Sequence, residues 1–445
     1  MWFNGFLRLF YTLIVVLFSQ TLNADDNNCT NKFTTSLNFK KLEKIEINTI
    51  ENRKFQSNNL KILIDSRKSI LPKFKKKYLS NILVIYSNGD RCQLKAFIRQ
   101  NGDMRDHIRF INGKIHQSLD VSLVNGNING IVKFKLLLED TRGTKEDELI
   151  ITELLREIGF ISPRTSLVET KINNAFSTMI FQEKSVKEML EFNLRREGPI
   201  LEGNEKFMFM FQSEILRDGT AQYKKTYNAM ERGVGLQLAR LSNSNWSMKS
   251  QNHLKISFNA LSLLNKIYLT FLSNYKNKIN NFDFQGYSLS NEMLGVGKVE
   301  HIKKLNFFNI LLHAAGADHG LLPHNRKFYW NSVMNFFEPI YYDGTLDFNK
   351  NIANQAFSEN MWLPYHGDLL QDHNLLIKKL QTIDIDRLYK RLEIKNIGID
   401  KSLLEKKINT LVENIKKSQE NIQNVDEELV EFNKDILDQL DKKEF

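Results

Sequence analysis

The apolar positions of this chain change period near residue 185. Before it they cluster in short runs with strand spacing. Leu60 to Asp65, Ile82 to Tyr86 and Gln93 to Ile98 read as strands, the last two joined by an Asn88-Gly89-Asp90 turn. Val132 to Leu138, VKFKLLL, predicts a strand that puts Lys133 and Lys135 on one face. From Glu146 the period lengthens. Ile150, Ile151, Leu154, Leu155 and Ile158 make one helical stripe, and Gly159 is a C-terminal stop. Ser166 to Ile172 and Phe176 to Phe181 are two further strands across an Asn173-Asn174 turn. Gln182-Glu183 then leads into a helix from Val186 to Phe192. Residues 25 to 60 are polar and Asn-rich, and read as a loose lead-in.

Residues 200 to 300 read as mainly helical, with Leu261 to Leu272 strongly apolar. Gly295-Val296-Gly297-Lys298 lacks the Walker spacing and reads as a turn. Glu300 to Ala315 is a helix, followed by strands at Phe328 to Trp330 and Pro339 to Tyr342. Near the C-terminus, Leu404, Ile408, Leu411, Ile415, Ser418, Ile422, Val425, Leu429, Phe432 and Ile436 alternate 4-3-4-3. That heptad pattern makes a coiled-coil-prone helix, which either joins two chains in a homodimer or folds back on its own domain.

Composition changes this picture little. Of 445 residues 42% are hydrophobic and 26% charged, so a sizeable core is within reach. The net charge of +10 would suit an anionic partner such as nucleic acid, membrane or acidic glycan. The lysines are spread rather than clustered, however, which reads as a solvated surface and no specific nucleic-acid site. The N-terminus matters more. Arg8 is the only charge before Asp25, LIVVLF at Leu13 to Phe18 centres an apolar stretch, and Ala24 closes a short polar region. This predicts a signal peptide over residues 1–24, with an uncleaved anchor as the alternative. The protein is then exported, to the periplasm, cell surface or medium, with no transmembrane span in the mature chain. In that compartment Cys29 and Cys92 either pair, worth about 4 kcal/mol by loop entropy, or stand as separate thiols.

The chemistry-bearing stretch is Ala317 to Gly344, ADHGLLPHNRKFYWNSVMNFFEPIYYDG. Asp318, Asn325 and Asp343 form the kind of set phosphoryl transfer needs: one carboxylate at the acceptor hydroxyl, and an amide oxygen and a second carboxylate on the metal. Each has a plainer use. Asp318 would cap a turn, Asn325 would sit in a loop, and Asp343-Gly344 would make a hairpin turn. Lys135 or Lys133 would meet nucleotide phosphates. Glu146, Glu148, Glu153 or Glu157 would hold that lysine, and spacing does not choose among them. Glu183 would sit at a hinge. No GxGxxG, GxSxG or HExxH motif is present.

At these residues the chain resembles the spore-coat-protein-H (CotH) family of secreted, atypical protein-kinase-like proteins. The resemblance rests on FIRQNGD (Phe97 to Asp103), KFKLLL (Lys133 to Leu138), ELLREIGFISPRTSLVETKINNAFSTMIFQEK (Glu153 to Lys184), HNRKFYW and EPIYYDG. It spans about Ile82 to Asp343. The family's Asn-Gly turn is Asn173-Asn174 here, and its Trp-Asp pair is Tyr342-Asp343. The resemblance implies an α+β, two-lobed, atypical protein-kinase-like fold. A β-rich lobe would cover residues 25–184, a mainly helical catalytic lobe 185–400, and the heptad helix 401–445. It implies ATP and Mg²⁺ as cofactors, Asp318 as catalytic residue, Asn325 and Asp343 as metal ligands, and Lys135, Glu153 and Glu183 at the nucleotide, with Glu153 favoured as the lysine's partner. The acceptor would be a hydroxyl of a secreted or surface protein or glycan. The alternative is a non-catalytic pseudokinase or envelope assembly protein.

Overall fold

The structure, a computed structural model, describes residues 39–66, 69–204, 238–277, 289–349 and 369–423. The signal segment, Cys29, and the heptad positions from Val425 to Ile436 lie outside the described residues.

The architecture is mixed α+β. Its first part is a closed seven-stranded barrel. Its strands are β1 (Leu42–Thr49), β2 (Tyr78–Tyr86), β3 (Arg91–Gln100), β6 (Leu119–Leu123), β7 (Lys133–Leu138), β9 (Ala175–Glu183) and β8 (Thr165–Ile172), in that spatial order. The β4 (Ile108–Ile111) and β5 (Lys114–Gln117) hairpin stands apart as a two-stranded sheet. All barrel pairings are antiparallel except β1 with β8, which is parallel and closes the ring. Alternate residues point inward. Ile45, Ile47, Val84, Ala96, Ile98, Val121, Phe134, Leu136 and Phe181 fill the interior, and the Phe134 and Phe181 rings stack at 4.5 Å.

Two readings are corrected here. The lead-in is not loose: β1 lies within residues 25–60 and is the strand that closes the barrel. Leu60 to Asp65 is not a strand but the end of helix α1 (Asn52–Ile64), which buries Phe55, Asn58, Asn59 and Ile62.

Helix α2 (Lys145–Glu157) connects the barrel to the rest. It is buried continuously from Asp147 to Leu155, against the outer face of the barrel on one side and helices on the other. Helix α3 (Lys187–Phe192) leads to a four-stranded sheet ordered β11 (Ala239–Leu241), β10 (Ile200–Gly203), β12 (Lys327–Asn331) and β13 (Phe336–Ile340). Helix α4 (Gln251–Asn277) packs on that sheet. Helices α5 (Val299–Ala314), α6 (Leu369–Gln381), α7 (Ile385–Glu393) and α8 (Lys401–Gln423) share one core with α2.

The heptad seam is occupied from within. Leu404, Ile408, Leu411, Ile415 and Ser418 on α8 are all buried, the apolar four in the core shared with α5 and α6. Asn414 Nδ2 donates to the Ala314 carbonyl at 2.8 Å and so satisfies one of the last carbonyls of α5. Over these positions the helix folds back on its own chain, and the homodimer expected through it has no free seam there.

Candidate functional site

A cluster of charged and aromatic side chains forms where the barrel meets the second sheet. Three backbone features position its side chains. The β7 strand carries Lys135. The loop from β7 to α2 carries Arg142, and Gly143 in that loop is pressed so close to Thr345-Leu346 that a side chain would collide with backbone. Past β13 the chain runs through Tyr341, Tyr342 and Asp343. That last residue takes a left-handed φ of +48° and lies beyond the sheet, three residues after the strand ends, rather than in a hairpin turn.

Lys135 Nζ donates to the Tyr342 hydroxyl at 2.9 Å. Lys327 of β12 holds its amine 3.9 Å above the centre of the same ring and pairs with Glu202 of β10 at 2.7 Å. Arg142 Nη1 donates to Asp343 Oδ1 at 2.8 Å, with the arginine side chain only 3% exposed. Behind them, β7–β9 pairing puts Gln182 opposite Lys135. Gln182 Nε2 donates to Glu148 of α2 at 2.9 Å, and the Tyr341 hydroxyl donates to the other oxygen of that carboxylate. On the neighbouring strand β6, Asp120 stands opposite Lys135 and receives Lys184 and Arg99, both at 2.7 Å at their nearest.

This arrangement leaves one cation uncompensated. Among the described residues Lys135 makes no ion pair, and its one side-chain hydrogen bond goes to a phenol. Enclosure away from water, with Lys327 and Arg142 nearby, lowers its amine to about 7; Asp120 and Asp343 pull the other way. Burial raises the Glu148 carboxyl to about 7 despite Arg142 and the Tyr341 hydrogen bond. His107, just before β4, is lowered to about 4 by burial and by Arg142. A half-buried amine with two further cations beside it, and no carboxylate paired to it among the described residues, favours an incoming anion.

The loop of Asp318 and Asn325 closes the cleft from the other side. Asp318 begins a 3-10 turn (Asp318–Leu321), and its Oδ1 lies 2.7 Å from Nδ1 of the buried His313. Gly320 lets this turn lie flat on Tyr342–Gly344; a Cβ there would stand 3.1 Å from the Tyr342 carbonyl. Asn325 Nδ2 donates to the His319 carbonyl at 3.0 Å and ties the loop to the turn. Gly203 at the end of β10 is forced by the same loop, since a Cβ would come within 2.7 Å of His324 Cα. Burial lowers the His324 imidazole to about 4, with Asp343 opposing.

Four of the residues singled out in the sequence therefore lie on segments that pack together here: Lys135, Asp318, Asn325 and Asp343. Glu153 does not. It faces away on α2 and pairs with Arg156 and with Lys395, the latter at 2.7 Å. The α2 carboxylate on the Lys135 side is Glu148, five residues earlier and so on a different face of the helix. Glu183 ends β9 with its carboxylate bound to Arg164. Arg142, Lys327 and His107 were not read from the sequence, and Tyr342 was named only as the residue before Asp343. Arg142-Gly143 between a strand and a helix was the one available signal, a tight loop presenting a cation. Among the described residues no group of three or more His, Cys, Asp or Glu side chains stands ready for a metal. No helix of those residues is long and apolar enough to cross a membrane.

No protein-family model matches the chain, and no curated protein matches it.

Proposed function

We propose that this chain is an exported phosphotransferase of the two-lobed, kinase-like kind that the CotH resemblance implies. It would move phosphate from ATP to a hydroxyl of a surface protein or glycan. The observation that carries the reading is the contact of a strand lysine with the segment that carries a late aspartate. Lys135 reaches Tyr342 at 2.9 Å, and the next residue is Asp343, more than two hundred residues on in sequence. Kinase chemistry requires such a contact, because one group holds phosphate and the other holds the metal on it.

The cleft suits polyphosphate. Lys135 and Lys327 offer two cations on one tyrosine ring, and only the second has a carboxylate partner. Mg²⁺, when bound, would neutralise charge on the transferred phosphate. Asp343 and Asn325 would be the oxygen donors for it. Asp343 must then turn from Arg142. Asp318 would orient the acceptor hydroxyl, held in place by His313.

The Arg142–Asp343 pair favours a second reading. A carboxylate already neutralised by a buried arginine needs no metal, and a chain that keeps this pair would be a non-catalytic assembly or binding protein. Incubation with γ-labelled ATP, Mg²⁺ and an extract of secreted proteins and glycans separates the two. Phosphotransfer predicts label on acceptor or on the chain itself, lost in Asp318→Asn. No label with wild type, despite tight Mg-ATP binding, moves the conclusion to the second reading.

A further inference from the structure

A second concave site lies away from this cleft. A cavity of about 610 Å³ opens between the barrel, the C-terminal end of α2, α3 and α7. None of Lys135, Arg142, Tyr342 or Asp343 lines it. Its walls are aromatic, from Phe39, Phe160, Phe181 and Phe192. Phe192 is fixed in place by two guanidinium groups, Arg164 at 4.4 Å and Arg156 at 5.0 Å from its ring centre. Its volume lies within the ordinary range for small-molecule sites, roughly 300–1,000 Å³.

The charges around it are uneven in a specific way. Arg387 and Arg391 of α7 share the single carboxylate of Glu157. Arg156 and Lys395 share the single carboxylate of Glu153. Each cluster thus holds one cation more than its carboxylate can balance, and both border an apolar chamber. At the mouth Leu194 is 89% exposed with φ +58°, a large apolar side chain displayed to solvent beside the opening.

We propose that this cavity binds an amphipathic anion, with its apolar body against Phe160, Phe181 and Phe192 and its acidic head at Arg387 and Arg391. Aromatic walls desolvate the body, and the surplus guanidinium groups receive the head as charge-assisted hydrogen bonds. A carboxylate and a phosphate monoester share this chemistry. The inference does not depend on phosphotransfer in the other cleft.

Displacement of the fluorescent anion 1-anilinonaphthalene-8-sulfonate from the purified full chain tests it, with dodecanoate, dodecyl phosphate and dodecanol as competitors. The expected result is saturable displacement by at least one of the anions, with dodecanol weaker by about tenfold or more. Whichever anion is tighter fixes the head group. The double variant Arg387→Ala/Arg391→Ala should weaken the anion by about tenfold and leave dodecanol unchanged. Leu194→Asp, a surface change that leaves the fold intact, should weaken all three. No saturable displacement, equal affinity for dodecanol and both anions, or variants that bind as wild type does would overturn the proposal.

Discussion

Arg142 and Asp343, 201 residues apart in sequence, form a part-buried ion pair at 2.8 Å where the barrel meets the second sheet. The pair joins the loop between β7 and α2 to the segment after β13. Removing one partner leaves the other charge uncompensated. Arg142→Met should lower unfolding free energy by about 3 kcal/mol, measured by urea denaturation. A change below the error of that measurement would mean that the pair is open in solution.

The cleft also sets a pH dependence. Lys135 titrates near 7 in the folded chain and 10.5 when unfolded, so the unfolded chain binds more protons between those values. Stability from this group therefore rises with pH from 7 to 10.5. Glu148 is raised from 4.5 to about 7, so the folded chain binds more protons in that window, and its contribution falls as pH rises through it. Together the two predict a dip in their joint contribution near neutral pH. Denaturation at a series of pH values checks this. Lys135→Met should flatten the slope above 7, and Glu148→Gln the slope below it.

Much of the fold was legible. Strands β2, β3, β7, β8 and β9 and helices α2 and α5 follow from alternation and stripe spacing, because local pattern and burial agree there. The early misses have one cause. Helix α1 buries Asn58 and Asn59 along with Phe55 and Ile62, so its inner face does not look apolar, and only the short run at its end stood out. Strand β1 earns its place by parallel pairing with β8, a contact more than a hundred residues away that no local pattern reveals. Lys135 and Asp343 could be singled out because the first lies within an apolar strand and the second follows one. Arg142 could not, since a loop residue's partner is set by tertiary packing alone.

Glu153 gives a direct contrast between the two faces of α2. Burial alone would raise its carboxyl, but Arg156 and Lys395 hold it at about 2. Its stability contribution is present above pH 4.5 and is lost as pH falls toward 2. Glu153→Gln should therefore weaken the fold at neutral pH and leave nucleotide affinity in the cleft unchanged. Glu148→Gln should shift that affinity, because Glu148 hydrogen-bonds the strand residue opposite Lys135. Parallel calorimetric titrations with ATP separate them, and equal effects would contradict the assignment.

Helix α8 provides a test of packing. Leu411 is fully buried in the core shared with α2, α5 and α6. Leu411→Ala should cost about 2–5 kcal/mol and leave the mass in solution unchanged. A variant that halves the mass with little loss of stability would show instead that the seam joins two chains.

The central claim is that Lys135 and Asp343 together hold a metal–nucleotide. Its most direct test is equilibrium binding of ATP to the purified chain with and without Mg²⁺, for wild type, Lys135→Met and Asp343→Asn. The account predicts that Mg²⁺ strengthens wild-type binding. Lys135→Met should weaken ATP whether or not metal is present. Asp343→Asn should abolish the Mg²⁺ enhancement, and should reduce any transfer by about 10²-fold. Wild-type ATP affinity that ignores Mg²⁺, or that survives both substitutions, would contradict it.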